Sequence, residues 1–183
     1  MDAYLLRIGF VKSSADPNLY IKVEDNEPII ILVYVDDLFI TGVEQRIREC
    51  KKMLVAEFEM KDLGLMHYYL GLEVLQKPRE IYLGQGKYII ELMQKFGMMD
   101  FKPMTTPMIT NLKKLKSSDS SLVDPTSYRN LVSSLMYLVN MRSDICFSVK
   151  ILSKFQLEPR HDHWIAVKHI SRYLRGTIHH FLK

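Results

Sequence analysis

Apolar and polar positions along the first third of the chain follow the pattern of β-strands. The run of β-branched and apolar residues from Pro28 to Tyr34 predicts a buried strand, and Leu38 to Thr41 predicts a second one. Only Val35, Asp36 and Asp37 separate the two runs, so the pattern predicts a hairpin with carboxylates at its tip.

Helical and strand patterns alternate after this hairpin. Residues Glu44 to Phe58 have helical spacing, which predicts an amphipathic helix. Its candidate core positions are Ile47, Met53, Leu54 and Phe58. A second hairpin is predicted from the runs Tyr68 to Gln76 and Glu80 to Gln85, and a helix follows over Lys87 to Phe96.

A linker and then a helical portion follow this helix. Residues Pro103 to Ser121 are rich in proline, serine, threonine and lysine and read as an exposed linker. Beyond it the pattern predicts three helices: Ser127 to Met141, a second that Asp144 caps and that ends near Leu157, and His161 to Arg175. The predicted fold class is α+β, an antiparallel sheet with helices followed by an all-helical portion.

Length and composition are those of a globular protein. The 183 residues suit one domain or two small ones, and 48% are hydrophobic. The net charge of +4 is compatible with nucleic acid but does not require it. The two cysteines form no CxxC pair, so a zinc knuckle or disulfide framework is not indicated. Without a secretory signal or an apolar run long enough to cross a bilayer, we expect a soluble intracellular protein with no membrane partner.

Adjacent carboxylates between apolar strands are the sharpest chemical signal. Burying Asp36 and Asp37 side by side is costly unless a cation offsets their charge, and hard cations such as Mg²⁺ prefer carboxylate oxygen. A paired-metal site at this position would suit phosphoryl-type transfer. The alternative is an exposed aspartate-rich turn that merely joins two strands.

The last predicted helix carries a basic face. Lys168, Arg172 and Arg175 could neutralise phosphates and bind a duplex without sequence preference. The alternative is a solvated surface.

Tyr34-Val35-Asp36-Asp37 resembles the YxDD box of reverse transcriptases, and its surroundings resemble the copia-type retrotransposon family. The supporting motifs occur in the family's order and cover nearly the whole chain: Phe58-Glu59-Met60-Lys61-Asp62-Leu63-Gly64, Tyr69-Leu70-Gly71-Leu72-Glu73-Val74, Gln85-Gly86-Lys87-Tyr88-Ile89, Thr106-Pro107-Met108, Leu135-Met136-Tyr137-Leu138 and Arg172-Tyr173-Leu174-Arg175-Gly176-Thr177. One departure is Met141-Arg142-Ser143-Asp144, where the family has a Thr-Arg-Pro-Asp stretch.

The resemblance implies a right-hand polymerase fold in part. Residues 1–76 would be the second half of the palm with the YVDD hairpin, and 77–102 a primer-grip-like hairpin and thumb helix. Residues 103–126 would be a linker, and 127–183 a helical thumb and connection segment.

The resemblance also assigns roles at the hairpin. Asp36 matches the first aspartate, a ligand of the catalytic metals, and Asp37 the second, supporting carboxylate. Tyr34 and Val35 would lie near the primer terminus and the nucleotide. The implied cofactor is Mg²⁺ or Mn²⁺, and the implied partner is an RNA/DNA template–primer duplex.

A further catalytic aspartate and the fingers are expected upstream of Met1. We therefore expect a truncated RNA-directed DNA polymerase that cannot polymerise alone and needs an N-terminal polymerase half. The alternatives are a host-retained, non-catalytic module that binds nucleic acid or protein, and an inert retroelement relic. Nucleus, cytoplasm and plant organelle all remain open.

Overall fold

A computed structural model describes residues 1–108 and 120–183. The chain divides into two compact units, Met1–Gly64 and Leu65–Lys183. Both combine antiparallel strands with helices, which confirms the predicted α+β class. The four-part division into palm, thumb, linker and connection segments stays a prediction, and most of the predicted linker lies outside the described residues.

The first unit is built on a four-stranded antiparallel sheet of order β1-β2-β3-β4. Its strands are β1 (Val11–Lys12), β2 (Leu19–Glu24), β3 (Glu27–Tyr34) and β4 (Asp37–Gly42), and its helices are α1 (Asp2–Arg7) and α2 (Glu44–Glu57). The predicted strands and helix occupy these positions to within a residue or two.

The core of this unit lies between the sheet and its helices. Its buried side chains are Leu5, Phe10, Tyr20, Ile29, Ile31, Cys50 and Leu54. Leu54 was predicted to be buried and is, whereas Met53 was predicted to be buried and is 39% exposed. Cys50 fills the position one helical turn before Leu54, because residues four apart share a helix face.

The second unit begins with a three-stranded antiparallel sheet of β5 (Tyr68–Tyr69), β6 (Leu72–Lys77) and β7 (Glu80–Gly84). The predicted single strand over Tyr68 to Gln76 is wrong, since the chain turns at Leu70 and Gly71. Both residues have positive φ, +48° and +84°, as a tight two-residue hairpin turn requires.

Helices complete the second unit: α3 (Gly86–Lys95), α4 (Pro125–Leu138), α5 (Cys146–Leu152) and α6 (His161–Gly176). Their apolar faces share one core that includes Met93, Tyr128, Leu135 and Ile170. The Asp124 side chain caps α4 by accepting from the backbone N–H groups of Thr126 and Ser127, at 3.2 and 2.8 Å. No helix in the described part of the chain is long and apolar enough to cross a membrane.

The helix predicted to follow Asp144 differs from the prediction at both ends. A 3₁₀ turn over Ser143–Ile145 contains Asp144, and α5 then starts at Cys146 without a side-chain cap. It ends at Leu152, and a second 3₁₀ turn follows over Ser153–Phe155. Asp144 does not cap the helix because its carboxylate is bonded to Arg142 and Tyr173 instead.

Candidate active site

The β3–β4 hairpin carries the four residues of the predicted site at its tip. Tyr34 pairs with Asp37 as the last rung of the ladder, which leaves Val35 and Asp36 as the two turn residues. Val35 has φ +51°, in the left-handed region that β-branched residues rarely adopt. The tight turn thus places both aspartates at the end of the sheet, Asp36 in the turn and Asp37 in the last paired position of β4.

The tip is exposed to solvent. Val35 is 82% exposed and Tyr34 46%, and both aspartates are exposed as well. The premise that apolar strands bury the carboxylates is therefore wrong for this chain. The buried side chains of β3, Ile29 and Ile31, lie further from the tip of the hairpin. In water, the repulsion between the two carboxylates is largely screened.

The donor set suits a hard divalent cation in kind but is small in number. Asp36 and Asp37 offer carboxylate oxygens, which Mg²⁺ and Mn²⁺ prefer. Among residues 1–108 and 120–183, no group of three or more histidine, cysteine, aspartate or glutamate side chains is placed to hold a metal ion. Water, substrate phosphates or ligands from elsewhere would have to complete an octahedral shell around a cation at this hairpin.

The basic residues of the last helix point toward a segment of their own chain. Arg172 Nε donates to the backbone carbonyl of Lys102 at 2.7 Å, and the Arg175 guanidinium donates to the carbonyl of Phe101. The Lys168 ammonium lies over the rings of Phe101 and Trp164, 5.8 and 5.0 Å from their centroids.

Two of the sequence motifs meet in a partly buried polar cluster around Arg142. Arg142, only 5% exposed, donates from Nε and one terminal nitrogen to the Asp144 carboxylate at 3.0 and 2.8 Å. It also donates to the Thr177 carbonyl at 3.1 Å and hydroxyl at 2.6 Å, and the Tyr173 hydroxyl donates to Asp144 at 2.8 Å. This cluster, which we call the Arg142 cluster, joins the turn before α5 to the end of α6.

The electrostatics of the Arg142 cluster favour the ionised carboxylate. Partial burial alone would raise the pKa of Asp144, but the hydrogen bonds from Arg142 and Tyr173 outweigh it and lower that pKa. Sequence analysis missed the cluster, although the motifs that hold Arg142 and Tyr173 were both visible. Nothing in their spacing of about thirty residues indicates that they touch.

Residues 1–110 match the family model for reverse transcriptase (RNA-dependent DNA polymerase). The chain therefore belongs to the reverse transcriptase family, as the YxDD resemblance predicted.

Relatives within this family are Pol polyproteins of copia-type transposons. The chain is 41% identical to the retrovirus-related Pol polyprotein from transposon RE1 of Arabidopsis thaliana and 39% identical to that from transposon RE2 of the same plant, in each case over 98% of its length. It spans only 12% and 13% of those polyproteins. The uncharacterized mitochondrial protein AtMg00810 of Arabidopsis thaliana is 36% identical over 83% of the chain and 63% of its own length. No solved structure matches the chain.

Proposed function

We propose that the first unit is part of the palm of an RNA-directed DNA polymerase and that the β3–β4 hairpin carries its metal-binding carboxylates. The supporting observation is the pair of adjacent, exposed carboxylates at the tip of a two-residue turn, in a chain whose residues 1–110 match the reverse transcriptase family. Tyr34 and Asp37 form the last pair of the ladder directly beneath the turn, so both aspartates lie at this end of the sheet.

Each residue of the hairpin tip has a distinct part in this proposal. Asp36, in the turn, would bind a catalytic Mg²⁺ or Mn²⁺, and Asp37, in the last strand rung, would support that charge. Tyr34 and Val35 would border the primer terminus and the incoming nucleotide. The bound cations would activate the primer hydroxyl and stabilise the charge that develops on the transferred phosphoryl group.

We further propose that the chain does not polymerise by itself. Two carboxylates cannot hold two catalytic cations in a fixed geometry, and phosphoryl transfer depends almost entirely on positioning. A third carboxylate ligand would come from outside the described residues, in a Pol polyprotein from the segment that precedes this one. The chain would then contribute one part of a site that another segment completes.

Primer extension tests both proposals. The chain is assayed on an RNA template with a DNA primer, with Mg²⁺ and then Mn²⁺, alone and with the preceding polymerase segment of a related Pol polyprotein. We expect extension only in the combined sample, and we expect it to disappear in Asp36→Asn. The matched control is Asp25→Asn, which removes an exposed aspartate from the turn at the other end of β3 and weakens only a surface ion pair with Arg46.

The results of primer extension separate the polymerase proposal from its alternatives. Extension by the chain alone would overturn the claim that it cannot polymerise. No extension in any combination, from protein shown to be folded, would refute the polymerase proposal. Salt-sensitive duplex binding would then indicate a host-retained module, and failure to unfold cooperatively would indicate an inert relic.

A further inference from the structure

From its middle to its C-terminus, α6 carries a group of cations that have no acidic partner in the part of the chain that the structure describes. Lys168, Arg172 and Arg175 are four and three residues apart, so they share one face of the helix. Lys102 lies beside them, since its carbonyl accepts from Arg172. Among the described residues, no carboxylate forms an ion pair with any of these four cations.

Residues 101–106, which we call the strap, run along this basic face. The carbonyls of Phe101 and Lys102 accept from Arg175 and Arg172, and the Thr106 carbonyl lies 2.9 Å from His169 Nε2. The Met104 N–H donates to the Arg172 carbonyl at 3.3 Å. The strap thus occupies guanidinium donors that would otherwise face solvent.

The strap is held mainly by exposed polar contacts. All of its residues except Met104 are exposed, so the apolar burial that resists its release comes chiefly from Met104 and from Phe101, which is 38% exposed. Its acceptors are neutral carbonyl oxygens, whereas phosphate oxygens are charged and match the guanidinium fork in bidentate geometry. A phosphate group would therefore be a stronger ligand for these arginines than the strap is.

We propose that the strap and the phosphodiester backbone of a nucleic-acid duplex compete for Arg172 and Arg175, which makes the strap an autoinhibitory cover over a basic binding face. The choice of duplex as the ligand rests on the proposed function. The residues involved are separate from the hairpin, so the two proposals can fail independently.

Two variants loosen the strap without removing a cation from the basic face. His169→Leu removes the contact with the Thr106 carbonyl. Gly176→Ala places a methyl group 3.1 Å from Pro103 Cβ, which crowds the exposed strap. Because the strap competes with the duplex, each variant should bind an RNA–DNA hybrid about two- to ten-fold more tightly, the equivalent of one lost hydrogen bond.

Two further variants remove the shared donors. Arg172→Gln and Arg175→Gln should weaken binding and lower the dependence of log K on log salt by about 0.7–0.9 per lost phosphate contact. Lys150→Gln is the matched control, since it removes an exposed cation from α5, outside the basic face.

The experiment is fluorescence anisotropy of a labelled RNA–DNA hybrid, titrated with the full chain at several salt concentrations. A second readout is hydrogen exchange at the Met104 amide, whose protection should fall when the duplex binds. Anisotropy reports binding without any extension of the primer, so a failure to extend a primer would not by itself affect this result. Unchanged or weaker binding by both strap-loosening variants, when thermal unfolding shows them folded, would overturn the competition. If the dependence of log K on log salt were unchanged in both arginine variants, the proposal that this face binds the duplex would be overturned.

Discussion

Replacing Arg142 by methionine tests whether the Arg142 cluster holds the second unit together. The substitution keeps an unbranched side chain of similar length but removes two bonds to the Asp144 carboxylate and two to Thr177. A hydrogen bond to a charged group contributes about 1.5–3 kcal/mol, and removing one partner of a buried ion pair costs about 3–5 kcal/mol.

The expected loss of unfolding free energy is smaller than the simple sum of these contributions. The Asp144 side chain is 35% exposed, so water can take over part of its solvation when the guanidinium is absent. The methionine also retains apolar packing in the space of the arginine stem. We therefore expect the free energy of unfolding to fall by about 2–4 kcal/mol.

Urea unfolding followed by tryptophan fluorescence measures this loss. Trp164 is the only tryptophan in the chain and lies in α6, so its emission reports on the second unit. Arg129→Met is the matched control, because this exposed arginine of α4 donates to the Pro125 carbonyl at the surface and its loss should cost less than about 0.5 kcal/mol. If Arg142→Met cost no more than this control, the cluster would not stabilise the fold and the reasoning would be refuted.

Three further predictions concern single side chains. The folded-state pKa of Asp144 is lowered, so the stability that its ionised carboxylate contributes is complete above the ordinary pKa of 3.8 and is lost as the pH falls below that value. The acid-induced drop in the urea midpoint should therefore be smaller in Asp144→Asn than in the parent chain. An equal drop in both proteins would contradict this. Gln85 is 3% exposed and its amide nitrogen and oxygen have no hydrogen-bond partner among the described residues. Gln85→Met should therefore leave the free energy of unfolding unchanged or raise it by about 1–2 kcal/mol in the same urea assay, and a clear loss would reveal a bound water or other partner. Val35→Asn places a residue that tolerates φ +51° in the hairpin turn and should stabilise the first unit by about 1–2 kcal/mol. Hydrogen exchange of the β3 and β4 amides measures that gain, and unchanged protection would show that the turn carries no strain.

The strands and helices with a strong local pattern could be predicted from the sequence. The β3–β4 hairpin lies where the apolar runs and the Asp pair place it, and α6 spans the predicted helix with one more residue at its end. These patterns are informative because alternation, apolar runs and helix-ending residues such as Gly176 determine the backbone conformation within a few positions of themselves.

What the sequence did not reveal depends on contacts between distant residues. Asp144 precedes an apolar segment and looks like a helix cap, but Arg142 and Tyr173 offer its carboxylate stronger partners. Arg172 and Arg175 look like free surface cations, but the carbonyls of Lys102 and Phe101 lie in front of them. A backbone carbonyl seventy positions away thus binds Arg172, and a tyrosine hydroxyl 29 positions away binds Asp144, and no local pattern reports either contact.

The sequence left open whether the two aspartates are buried or lie in an exposed turn, and the exposed turn of the structure bears on function. A two-residue hairpin turn with positive φ favours asparagine or glycine, yet Val35 occupies that position here and Asp36 follows it. Local preference and observed conformation thus disagree at the residue next to the two carboxylates. Positions where a chain departs from its own local preference tend to be functional ones, because a residue selected only for folding would match its backbone. The strained turn supports the proposal that the hairpin presents Asp36 and Asp37 to a ligand, since it holds them at an exposed tip where the sheet itself gains nothing from their charge.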